Sequence, residues 1–340
     1  MAYVGIDGKA RKITNMYVGV DGVARKIIKG YVGVDGIARL IYIASSTPGG
    51  GDEPGYSGDP ANFPIMAEKN TWYKSSANRT TITEIEFLDT YTPGSYDETW
   101  YADVNNTGAI TCYRIGSKLI IAGNGSGGIN ANANSMYMFF GKLDNSYENL
   151  TAIRNLSLLN TSNTKNMYGM FYCCSSLTYL NVSNFNTSNV SNMGGMFWNC
   201  KSLVLLDLSN FDTSNNYYME HLFTNCQAMV SVDMSSFITS KVVNMTGMFA
   251  GCSNLNKIDI SRFDTSNVDD ISQMFARCSS LTSLDLSNFD TSNIIQMIYT
   301  FQNCSNLKTI YVSRDKWVIR DDCNTNNMFS GCGTDHLTYI

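Results

Sequence analysis

From about Met136 to Cys332, apolar and polar positions recur every 26 residues. Cys174, Cys200, Cys226, Cys252, Cys278 and Cys304 keep that interval, and each follows a phenylalanine by three: Phe171, Phe197, Phe223, Phe249, Phe275 and Phe301. Met167, Met193, Met219, Met245 and Met297 stand four residues before a Phe, with Ile271 in the sixth place. Phe329 and Cys332 end the series at a spacing of 28, and Met136 with Phe140 is an irregular early member. After each cysteine runs Leu-x-x-Leu-x-Leu-Ser, clearest at 203–209 and 281–287, then Asn-Phe-Asp-Thr-Ser-Asn at 210–215 and 288–293. Variants stand at 184–189 and 262–267, and 236–241 reads Ser-Phe-Ile-Thr-Ser-Lys.

The alternation in Leu-Asp-Leu predicts a short strand with one face inward. The Asn and Ser cluster turns the chain. Ser188 or Asn189 is placed to cap a short helix, on which Met193, Met196 and Phe197 share one face at i, i+3 and i+4. Neither element buries its apolar face alone, so the units must stack, Leu over Leu, Phe over Phe and Cys over Cys.

A different repeat opens the chain. Tyr3-Val4-Gly5-Ile6-Asp7-Gly8 recurs at 17–22 and 31–36, each copy continuing into Ala-Arg. Asp-Gly between short β-branched runs signals a tight hairpin, because a type I′ turn needs positive φ at both central positions. Three hairpins are expected over 1–43, followed by a Gly/Pro linker over 44–64. Residues 65–135 hold alternating stretches at 80–87, 110–115 and 118–122 and read as a β-rich cap for the first unit. Gly123-Asn124-Gly125-Ser126-Gly127-Gly128 lacks the Lys-Ser/Thr ending of a phosphate loop and is expected to be a tight turn.

Charged residues are only 16%, and the net charge is −5. That balance gives no case for a nucleic-acid partner. Residues 1–43 are the exception, with seven basic side chains against three acidic. This basic, repeated module is expected to dock on a partner or to pair with further copies of the chain. No apolar run near Met1 resembles an export signal, no apolar stretch reaches 18 residues, and no membrane insertion is expected. No Cys-x-x-Cys pair, nucleophile triad or paired-acid site stands out, so no enzyme, metal or cofactor is expected. The ladder cysteines read as small buried packing residues, Cys173 as an outward thiol, and His221 and His336 as solvated or packed side chains.

The pattern Leu-x-x-Leu-Asp-Leu-Ser-Asn-Phe-Asp-Thr-Ser-Asn-x-x-x-Met-x-x-Met-Phe-x-x-Cys resembles the BspA-like leucine-rich-repeat family over about 136–332. The Tyr-Val-Gly-Val-Asp-Gly-x-Ala-Arg-Lys repeat resembles the start of phage and prophage tail-associated proteins of Gram-positive bacteria. The resemblance implies an α/β solenoid, a leucine-rich-repeat-like stack of short parallel strands and short helices over 136–340 with a C-terminal cap. It also implies binding to host or partner molecules. The expectation is a virion-associated binding protein, outside the cell, docked on tail proteins through 1–43 and recognising a protein or glycan on a cell surface. The alternative is a bacterial surface adhesin. The expected recognition face is the strand face. There Asp207, Asp233, Asp259 and Asp285 form one column, ended by Tyr311, beside the variable Tyr179 and Lys257.

Overall fold

Short runs of β-branched residues on either side of each Asp-Gly pair form three antiparallel hairpins in the computed structural model. They pair β1 (Ala2–Ile6) with β2 (Lys9–Ile13), β3 (Tyr17–Val20) with β4 (Val23–Lys26), and β5 (Lys29–Val34) with β6 (Ile37–Tyr42). Their registers close at Ile6 opposite Lys9, Val20 opposite Val23 and Val34 opposite Ile37. The Asp-Gly turns themselves lie outside the described residues. The structure describes these strands as backbone, and residues 57–340 except 69–71, 74–78 and 141–146. Contacts divide the chain into two units, Met1–Pro54 and Gly55–Ile340.

The second unit begins with a mixed five-stranded sheet. Its strands are β7 (Glu84–Leu88), β8 (Glu98–Tyr101), β9 (Thr111–Ile115) and β10 (Lys118–Ala122), with a later strand, β12 (Ala152–Arg154), at one edge. The order is β12-β7-β10-β9-β8. The β7–β10 and β7–β12 pairs are parallel, and the others antiparallel. A two-residue pair, β11 (Ile129–Asn130) with β13 (Leu159–Asn160), runs beside it. The glycine loop after β10 is a turn whose Gly127 N–H donates to the Asp89 carboxylate at 2.8 Å. Residues 57–64 pack onto this unit, with Phe63 buried and Asn130 N–H donating to Pro64 O.

The expected α/β solenoid of strands and short helices is overturned. The described residues hold no α-helix, only short 3-10 turns at Pro60–Asn62, Arg79–Thr81 and Leu156–Leu158. The named sheets are small and mixed. In the repeats, parallel four-residue strands appear only late, as β14 (Ser283–Leu286) and β15 (Thr309–Val312), with the two-residue β16 (Thr338–Tyr339) paired to β15. Earlier units meet through single bridges such as Asp207 with Asp233.

The backbone gives the reason. Each Met-to-Cys stretch carries two left-handed residues four apart, for example Gly195 (φ +58°) and Asn199 (φ +60°), or His221 (φ +57°) and Asn225 (φ +58°). A right-handed helix cannot run through such positions. The chain instead makes successive turns, Met196 N–H to Met193 O at 3.1 Å, Trp198 to Gly195 at 3.0 Å and Cys200 to Phe197 at 3.1 Å. Positive φ at the second central residue is what a type II turn requires. Asn189, expected near a helix cap, donates its side-chain amide to Ser162 O in the preceding unit at 2.8 Å.

What couples the units is a ladder of main-chain bonds. Met193, Gly195, Phe197 and Asn199 donate to Tyr218, Glu220, Leu222 and Thr224 of the next unit, and the scheme repeats through Asn303 to Ser330. Within each Met-to-Cys stretch these inter-unit bonds run from a unit's N–H to the following unit's carbonyl, while flanking residues such as Tyr217 and Ala228 donate the other way, to Ser191 O and Lys201 O. The first unit has no predecessor, so its outward carbonyls find side chains. Met138 O accepts from the Trp72 indole at 3.0 Å and Phe140 O from the buried Arg79 guanidinium.

Side chains repeat the coupling. The buried Thr213 hydroxyl donates to Ile238 O and accepts Ile238 N–H, both at 2.8 Å, and Thr187, Thr239 and Thr265 treat their own partners alike. The phenylalanines stack face to face, Phe197 on Phe223 at 5.7 Å and Phe223 on Phe249 at 5.6 Å. Cys226 Sγ reaches Phe197 O at 3.1 Å, and Cys252 reaches Phe223 O at 3.1 Å.

All ten cysteines are free thiols, seven buried and three, Cys173, Cys323 and Cys332, half-buried. Burial raises the ladder thiols, Cys252 and Cys304 to about 12, so they stay protonated and unreactive near neutrality. Alkylation of the folded chain is expected to modify the half-buried three first and to reach the others only on unfolding. Mass spectrometry of the labelled peptides reads this; prompt native labelling of Cys226 would contradict the packing.

Candidate functional site

In each unit the Leu-x-x-Leu-x-Leu segment turns its leucines inward, Leu203, Leu206 and Leu208 being buried, and sends the residues between them outward. The outward positions stack in columns, since the backbone pairs Asp207 with Asp233 and Asp285 with Tyr311. Asp259 holds the equivalent position in its own unit, between these two pairs. Tyr179 (40% exposed), Val204, Val230 and Tyr311 (37% exposed) lie exposed on the same face, as does Lys257.

The carboxylates also hold the frame. Asp207, Asp233, Asp259 and Asp285 each accept the N–H of the serine two residues on, at 3.1, 3.0, 3.1 and 2.9 Å. This is an Asx turn. Asn181 does the same at 3.1 Å. The Ser261 hydroxyl and N–H, with Lys257 and Arg262 nearby, hold Asp259 below the usual carboxylate range. Because an asparagine already fills this role, changing Asp233 and Asp259 together to Asn is expected to leave the melting temperature within about 2 °C, well under 1 kcal/mol, as for exposed charges. A scanning calorimetry trace with a drop several times larger would show that the charges themselves hold the turns. Among the described residues, no group of three His, Cys, Asp or Glu side chains is placed to hold a metal ion.

The opposite edge of each unit, the turn stretch, carries a feature that the sequence reading did not identify. Tyr137, Phe140, Tyr168, Tyr172, Trp198 and His221 form a continuous, partly exposed row of rings across successive units. His221, read from sequence as solvated or packed, is half-buried and stacks on Trp198 at 4.4 Å. A signal was present: Gly195 and Gly247 hold the His221 position in neighbouring units, and Gly194 holds that of Glu220. A further departure leaves a mark elsewhere. Ser236 replaces the asparagine found at 184, 210 and 288, and a shallow depression of about 450 Å³ lies there beside the exposed Ile238, Arg262 and Asp264.

The architecture is thus that of a repeat protein with an outward face of varied side chains on a constant frame. The chain belongs to the family described as "Mycoplasma protein of unknown function, DUF285", whose model matches residues 134–237 and 217–337, more than half of the chain. No curated protein and no solved structure matches it. No helix among the described residues is long and apolar enough to cross a membrane.

Proposed function

We propose that this chain is a non-enzymatic binding protein of a phage or prophage particle, in the tail or fibre. Its repeats present a recognition surface to a protein or glycan on a host cell. The observation that carries the reading is the outward face: Asx turns fix the frame at each unit, while Tyr179, Val204, Val230, Lys257 and Tyr311 vary upon it and stay exposed. Aromatic and aliphatic side chains held on a rigid frame supply contact area at low entropic cost. The resemblance of 136–332 to BspA-like repeats, and of the Tyr-Val-Gly-Val-Asp-Gly copies to tail-associated proteins, supports the assignment to host recognition. The seven basic side chains of 1–43 suit docking on an acidic partner surface.

Two measurements test it. Fluorescently labelled full chain is incubated with Gram-positive cells, and retention is compared with that of a Tyr179→Ala, Tyr311→Ala double variant. Retention that falls at least several-fold in the variant supports the reading. In parallel, particles are assembled with the full chain and with a chain lacking 1–43, and incorporation is read by immunoblot. Equal incorporation of both would remove the docking role, and absence of the full chain from particles would remove the virion reading.

A further inference from the structure

The row of rings on the turn edge is built at a local cost. His221 takes a left-handed backbone conformation that its neighbours fill with glycine, and such a conformation is costly for a residue with a Cβ. Glycines then clear the space these side chains use. A Cβ at Gly194 would lie 2.6 Å from Glu220 Oε1 and 2.9 Å from the Tyr168 ring, and one at Gly247 would lie 2.5 Å from His221 Nδ1. The Glu220 carboxylate and the His221 imidazole therefore fold back over their neighbouring units beside the rings.

The rings meet mostly edge to face, Phe140 with Tyr172 at 4.7 Å and Tyr172 with Trp198 at 5.0 Å, before Trp198 stacks on His221. At the end of this row stand hydrogen-bond acceptors. Thr224 Oγ1 gives its one proton to Gly247 O at 2.6 Å, so it accepts from His221 Nδ1 at 3.1 Å. That assigns the proton to Nδ1 and leaves Nε2 with its lone pair. Burial lowers the His221 pKa, with Asp270 opposing, which favours this neutral form. Glu220 Oε2 is buried with no donor, and burial raises the carboxyl's pKa. The Glu220 side chain as a whole is partly exposed beside the rings, and there its carboxylate meets solvent or a ligand.

We propose that this edge is a carbohydrate site, in which pyranose rings lay their C–H faces on Tyr172 and Trp198 and hydroxyls donate to Glu220 and to His221 Nε2. A pyranose offers just these two features, an apolar C–H face and outward hydroxyl donors. Aromatic rings supply a flat apolar surface. The row crosses several 26-residue units, which suits an oligosaccharide rather than a single ammonium group, whose recognition needs ring faces gathered round one point. The inference rests on the binding reading above and adds a ligand class and a second surface to it.

The test uses the full chain on an array of hexose, N-acetylhexosamine and deoxyhexose oligosaccharides, with titration of any retained glycan by tryptophan fluorescence. Selective retention is expected, weakened at least 10-fold by Trp198→Ala and several-fold by Glu220→Gln, with Trp198→Phe keeping most of the affinity. Circular dichroism melts check that the variants fold; if Trp198→Ala does not, Glu220→Gln carries the decision. No retained glycan, or glycan binding indifferent to both Trp198→Ala and Glu220→Gln, overturns the inference. Cell retention that persists in a chain silent on the array would leave the binding reading standing without the sugar. Glycan binding by a chain that no cell retains would do the reverse.

Discussion

Replacing Phe223 with alanine is expected to destabilise the repeats by about 3–5 kcal/mol, the range for removing a buried phenylalanine. The ring is fully buried and stacked on both sides, at 5.7 Å on Phe197 and 5.6 Å on Phe249. Its removal opens a void in the middle of the column, and the backbone ladder prevents the neighbouring units from closing it. Stacked repeats are held mainly by nearest-neighbour contacts, so the loss falls at the two junctions that flank this unit. Urea unfolding followed by both tryptophan fluorescence and circular dichroism is expected to show two separated transitions where the parent shows one, and a leucine at 223 should recover part of the loss. A variant that melts with the parent, in one transition, would mean that the ring column does not couple the units.

Asn216→Val is expected to do the opposite, stabilising by about 1–3 kcal/mol, the usual penalty for a buried amide without a partner. Val190, Val242, Val268 and Ile294 hold the equivalent position in other units, all buried. Asn216 is wholly buried among them, and both its side-chain oxygen and nitrogen lack a hydrogen-bond partner. Valine fits the column and removes two stranded polar atoms at once. The melting temperature should rise by roughly 2–4 °C per kcal/mol if the repeats of 134–337 melt as a unit. An unchanged or lower melting temperature would show that the amide has a partner in solution, such as a trapped water.

Much of the packing was legible in the sequence, because a fixed 26-residue register leaves like residues little choice but to meet. Phe223 on Phe249, and the buried Cys226 and Cys252, follow from spacing alone. The local conformation was misread. Met193, Met196 and Phe197 at i, i+3 and i+4 fit one face of a helix, yet a chain of three-residue turns produces the same spacing. The residues that decide between the two were visible in four of the six units: Asn199, Asn225, Gly251 and Asn303 stand directly before the ladder cysteine, types that accept positive φ more readily than the Cys173 and Arg277 of the other two. The acidic column was seen as charge, whereas Asp followed two residues later by Ser is equally the signature of an Asx turn. The aromatic row was hidden for another reason. Its members come from more than one position of the unit, and only contacts across unit boundaries assemble them, Glu220 and Tyr168 meeting over Gly194 and His221 stacking on Trp198.

The one-way ladder gives the repeats an electrical sign. Alternate N–H groups of the Met-to-Cys stretch, those of Met193, Gly195, Phe197, Asn199 and their equivalents, point toward the later units, so these peptide dipoles add along the stack as they do along a helix, leaving partial negative charge at the carbonyl end. That end is where Arg79 is buried, its guanidinium on Phe140 O and over the Tyr73 ring at 4.5 Å. A cation in so apolar a place is normally expensive. Here it sits against the summed field of the units behind it, so that field and the ring face together compensate for lost water. A unit inserted anywhere in the series would lengthen this field without reversing it, and the same arginine would close the longer stack.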